Sequence, residues 1–145
     1  MDNLGKRSHA NFLVYAHWFM SIIISQMKDH SISVDQDRYS TSVVEKDLNT
    51  DISKASTKFY KTTLSYDIIF TEYDTSTSDE QVEKLTRESN IHYRACIGSL
   101  ISVLSIRVNL SFAVHKLAKF PSNPGRVNFE GLVHLLRYIR YTNTL

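Results

Sequence analysis

Asp35, Asp37, Asp47 and Asp51 are carboxylates whose crowding along the chain could hold a divalent cation. Hard cations need several oxygens converging on one point. Here the four read instead as a helix cap and a solvated face, the usual place for carboxylates. His115 and His134 could ligate a transition metal, but they fall on separate predicted helices and no third ligand recurs near them. Cys96 is the single cysteine, which excludes a disulfide framework or a thiolate zinc site within one chain. It has no spaced histidine and asparagine partners for a nucleophile's role, and its apolar neighbourhood makes it a small core residue. Gly5, Gly98, Gly125 and Gly131 are the only glycines and form no phosphate-cradling loop.

Charge is the stronger signal. From residue 91 onward Arg94, Arg107, Lys116, Lys119, Arg126, Arg137 and Arg140 stand against one acid, Glu130, a net of +6. The first ninety residues carry ten basic and fourteen acidic side chains, a net of −4, so the overall +2 hides two halves of opposite sign. Such asymmetry points to a polyanion contact. A basic helical face turned to water is the competing reading.

These side chains need elements to position them. With 42% apolar and 22% charged residues the 145-residue chain is globular material, enough for one domain or two small lobes. Residues 1–17 are a divergent N-terminal segment. Residues 18–48 predict a hairpin and a helix: strands at about Phe19 to Met27 and Ser31 to Val34 around the turn Lys28, Asp29, His30. Asp35 is then a candidate N-cap, with Tyr39, Val43, Val44 and Leu48 at helical spacing. Residues 49–90 predict a long polar connection, with strand near Ile68 to Phe70 and a turn of helix near Asp79 to Leu85, capped by Ser78 or Asp79.

Residues 91–145 predict three helices on three apolar stripes. The first is Tyr93, Ile97, Leu100, Ile101 and Leu104; the second Leu110, Ala113, Val114, Leu117 and Phe120; the third Phe129, Leu132, Val133, Leu136 and Ile139. Asn109 is a candidate N-cap for the second, and the run from Pro121 to Gly125 breaks the chain before the third. The expected fold is α+β and mainly α: an N-terminal β-hairpin, a long irregular connection and a small C-terminal three-helix bundle. The apolar run Ala10 to Ile24 is interrupted by Asn11, His17 and Ser21 and is short of the ~18 residues a span needs, so neither a signal peptide nor a transmembrane helix is expected.

The string YRACIGSLISVLSIRVNLSFAVHKLAKFPSNP, followed by HLLRYIR, resembles the segment just after the polymerase palm in copia-type LTR retrotransposon polyproteins. Tyr93, Arg94, Gly98, Ser99, Leu100, Leu104, Arg107, Phe112, Ala113, Val114, Leu117, Phe120, Pro124, Leu136, Arg137 and Tyr138 fit that pattern in order. Upstream, Trp18, Phe19, Ile22, Ile24, Ile32, Gln36 and Tyr39 resemble the family's hairpin and following helix. The likeness covers roughly residues 17 to 141 and is weakest between 50 and 90. Met20 and Ser21 replace a Leu-Gly pair, Val108 and Asn109 a Pro-Asp pair, and Ser102 an aromatic residue. About ten residues, RSHANFLVYA, interrupt what is otherwise continuous in the family between the lysine of MDNLGK and HWF.

The resemblance implies a primer-grip-like hairpin and thumb-like helices from a reverse transcriptase, an RNA-directed DNA polymerase. By that analogy the helix from Tyr93 lies along the minor groove of a template and primer duplex, with Arg94 at its start and Gly98 permitting close backbone approach; tight helix packing is the other reading of Gly98. Lys116, Lys119, Arg137 and Arg140 would touch phosphates without reading bases. The implied partners are an RNA/DNA or DNA duplex, held weakly, and the palm of a parent polymerase, with a cytoplasmic or nuclear location. Polymerase chemistry needs carboxylates that hold two Mg²⁺ ions. No Asp-Asp pair occurs in this chain, so a polyprotein fragment, inactive alone and without a cofactor of its own, is expected. A non-enzymatic helical interaction module, or an inert remnant, is the alternative.

Overall fold

The structure is a computed structural model that describes residues 18–19, 21–47, 61–64, 70–71, 74–76 and 78–143. Its described residues divide into two compact units, one ending at Gln36 and the other beginning at Asp37. The first is an antiparallel sheet in the order β1 (Trp18–Phe19), β2 (Ile22–Gln26), β3 (Ile32–Asp35). The strand expected from Phe19 to Met27 is therefore two strands. Phe19 pairs with Ile22 and Trp18 with Ile23 across a turn in which Ser21 takes a φ of 65°. Isoleucine-rich composition favours extended backbone but does not prevent such a reversal.

Between β2 and β3 the expected turn at residues 28–30 is present. Asp29 Oδ1 accepts hydrogen bonds from Ser31 Oγ at 2.6 Å and from Ser31 N at 3.1 Å, and these bonds hold its carboxyl below the usual carboxylate range. Asp35 is the last residue of β3, where it pairs with Ile23. Ile22 to Ile24, the end of the apolar run considered as an anchor, belong to β2. No helix among the described residues is long and apolar enough to cross a membrane.

The second unit is helical: α1 (Asp37–Asp47), α2 (Asp79–Ser89), α3 (Tyr93–Val103), a 3-10 turn (Val108–Leu110), α4 (Ser111–Leu117) and α5 (Arg126–Asn143). The fold is thus α+β and mainly α. Its core runs through Val43, Val44, Ile97, Leu100, Val114, Leu117, Leu132 and Leu136, all buried. The three expected C-terminal helices are joined by α1, which packs on both α3 and α5. The stripe expected on α3 is rotated: Cys96 and Val103 are buried, whereas Ile101 is 52% exposed. The second expected helix starts later than its sequence suggests, because residues 108–110 tighten into the 3-10 turn; Asn109, rather than capping it, donates from Nδ2 to the Tyr138 hydroxyl at 3.1 Å.

The connection is tied to the bundle at several points. The expected strand at Ile68 to Phe70 falls mostly outside the described residues, but the Phe70 ring rests against Gly131, where an added Cβ would meet it at 2.8 Å. Ser76 donates from N to Asn123 O at 3.1 Å and from Oγ to Pro124 O at 2.7 Å. Gly125 lies so close to Asp74 that an added Cβ would fall 1.5 Å from the Asp74 carbonyl oxygen. Its N–H is accepted by Asn128 Oδ1 at 2.8 Å, which satisfies a donor at the start of α5. Downstream of Ser76, α2 is capped by Ser78, whose Oγ accepts from Gln81 N at 3.4 Å, and the helix runs beyond the expected single turn to Ser89.

Candidate functional site

The two faces of α3 have different work. Inward, Tyr93, Cys96, Ile97, Leu100 and Val103 are buried. The Tyr93 ring packs at 5.2 Å, centroid to centroid, against Phe129, and its hydroxyl donates to Leu117 O at 2.9 Å, capping a carbonyl at the end of α4. Outward, Arg94, Ala95, Gly98, Ile101 and Ser102 are exposed. A Cβ added at Gly98 would meet nothing within 4 Å. The tight-packing reading of this glycine therefore fails within the described residues, and a smooth, unobstructed stretch of helix backbone faces outward one turn from Arg94.

The stretch of chain that carries that face is one-sided in charge. Residues 91 to 128 contain no aspartate or glutamate, and Arg94, Lys119 and Arg140 form no ion pair among the described residues. Lys116 and Lys119 are exposed on and just beyond the end of α4, with the Lys116 ammonium 5.6 Å from the centroid of the Phe112 ring. Arg140 is exposed on the last turns of α5.

The expected residues do not all gather in one place. Arg137 is partly buried and lines a groove of about 470 Å³ between α2 and α5, over a floor of Leu85, Phe129 and Val133. At the rim of that groove Arg126 pairs with Glu88 at 3.2 Å. Arg94 borders a different, mainly apolar cleft with Val82, Thr86, Pro121 and Pro124. Arg107, which shares their charge, is consumed structurally. Its guanidinium donates to Asn143 Oδ1 and Thr142 Oγ1, and Asn143 Nδ2 donates in turn to Ser40 Oγ at 2.8 Å, fastening α5 to α1.

The other chemistry-bearing side chains have structural partners. His115 Nδ1 lies 2.7 Å from Ser111 O on its own helix, and His134 Nε2 lies 2.9 Å from Thr62 O. Cys96 is buried, and burial first, then the Asp47 carboxylate beside it, push its thiol well above the ordinary range. Asp47 is 7% exposed at the end of α1, which corrects its expected place on a solvated face. Asp51 lies outside the described residues. No cluster of three or more potential metal ligands occurs among the described residues.

Phe112 is the feature that neither charge nor apolar stripes single out. Its position, four residues from both Val108 and Lys116 and outside the buried set Leu110, Ala113, Val114 and Leu117, is the available signal. No protein-family model matches the chain, and no curated protein or solved structure matches it.

Proposed function

We propose that this chain is the post-palm part of a copia-type reverse transcriptase, a primer-grip-like hairpin with a thumb-like helical unit, and that the helical unit binds nucleic-acid backbone without reading sequence. The observation that carries this reading is the open face at Gly98. A glycine inside a helix costs roughly 0.5–1 kcal/mol relative to alanine, and here no neighbour within the described residues uses the space it leaves. A partner that must approach the helix closely would use it, and the acid-free stretch around it suits a partner carrying repeated negative charge.

In this reading the chain holds and does not catalyse. The two Mg²⁺ ions and the carboxylates that bind them belong to the parent palm, which is also a partner for the chain. Arg94, Lys116, Lys119 and Arg140 supply cations to phosphates, with Arg137 contributing from its groove. Phosphate contacts of this kind fix position and carry no sequence information, as a polymerase requires.

The test is binding of the chain to a labelled RNA/DNA hybrid across a salt series, beside a variant carrying Lys116→Gln, Lys119→Gln, Arg137→Gln and Arg140→Gln. The expected result is a steep negative slope of log K against log salt, shallower in the variant by roughly one unit for every phosphate that a replaced cation had neutralised. Absence of binding by the folded wild type would favour the rival reading, an inert remnant or a helical protein-interaction module using the exposed Val108 and Phe112.

A further inference from the structure

The turn preceding α4 and α4 itself carry an exposed ridge at a spacing of four residues: Val108, Phe112 and Lys116. Val108 is 70% and Phe112 66% exposed, while Leu110, Ala113, Val114 and Leu117 bury the opposite side. Phe112 thus presents its ring to solvent, with the Lys116 ammonium 5.6 Å from the ring centroid. Lys119 follows three residues later, also exposed.

We propose that this ridge is a stacking site for an unpaired nucleobase, with Phe112 as the platform and Lys116 and Lys119 on the adjoining phosphates of a single strand. The proposal rests on the nucleic-acid reading above and adds a second ligand form to it, since a paired duplex offers no base face to such a ring. Charge selects the occupant. An apolar protein surface would meet the valine and phenylalanine but gain nothing from two lysines in a stretch of 38 residues, 91 to 128, without an acid. A nucleotide carries the planar aromatic group and the anion together, and base stacking on an exposed aromatic side chain is tolerant of sequence.

The test compares fluorescence anisotropy of two labelled probes of equal charge, a twelve-residue oligothymidylate and an abasic strand of the same length, each across a salt series. The wild type is expected to bind the base-bearing strand about tenfold more tightly. Phe112→Ala, which removes an exposed side chain and leaves the core intact, should abolish that preference without changing the salt slope, and Phe112→Trp should restore it. Equal affinity for the two strands, or a preference that survives Phe112→Ala, would overturn the stacking site while salt-dependent hybrid binding left the broader reading standing. Failure to bind either strand or the hybrid would overturn both. A Phe112→Ala variant that altered only self-association would assign the ridge to a protein contact instead.

Discussion

Ser21 occupies a turn with φ at 65°, a conformation that glycine adopts freely and other residues at a cost of about 1 kcal/mol. Met20 and Ser21 stand where the pattern that this hairpin resembles has a Leu-Gly pair, and the positive φ is the backbone that such a glycine would suit. Ser21→Gly is expected to stabilise the sheet by ~0.5–1 kcal/mol, read as a higher urea midpoint in the fluorescence of Trp18, the single tryptophan and a residue of β1; an unchanged or lower midpoint would contradict it. Cys96 and Tyr93 set a second expectation at this scale. Burial raises both above their ordinary values of 9.0 and 10.0. Because the folded state holds these protons more tightly than the unfolded chain, their contribution is complete below about pH 9 and declines as pH rises further. Cys96→Ala should flatten the onset of that alkaline decline in urea midpoints measured from pH 7 to 10.

At the scale of elements, the same substitution has opposite signs at two glycines. Gly98→Ala adds a methyl group into open space on α3 and should raise stability by ~0.5–1 kcal/mol through helix propensity. Gly125→Ala drives a methyl group into the Asp74 carbonyl and should cost about 2 kcal/mol or more by overpacking; thermal melts of the two variants check the pair. The contrast also shows what sequence can and cannot convey. Apolar stripes on α4 and α5 are legible because their period is that of a helix, and the buried residues Leu110, Val114, Leu132 and Leu136 follow it. The stripe on α3 lies further round than its spacing suggests, because Cys96 and Val103 turn inward while Ile101 does not, with α1 packed on this helix. Hydrogen bonds such as that of Ser76 with Pro124 join residues 48 apart through backbone carbonyls, which no side-chain pattern records. Asn109 has the composition of a cap and is taken up by Tyr138 instead, a tertiary bond overriding a local preference.

For the whole molecule, the charge split along the chain is visible in the sequence and survives as an acid-free run over α3 and α4. The grouping of cations is less legible, because Arg107 meets partners distant in sequence and fastens α5 to α1, while Arg137 lines a groove beside α2. The role assigned to the molecule therefore rests most directly on the outer face of α3. The decisive measurement is hybrid affinity of Gly98→Leu against wild type at one moderate salt concentration, with thermal stability of both proteins recorded in parallel. A branched side chain in open space should leave the fold as stable or more so and weaken hybrid binding at least fivefold, about 1 kcal/mol. Unchanged affinity in an equally stable variant would contradict close approach at this glycine, and with it the observation on which the proposed function stands.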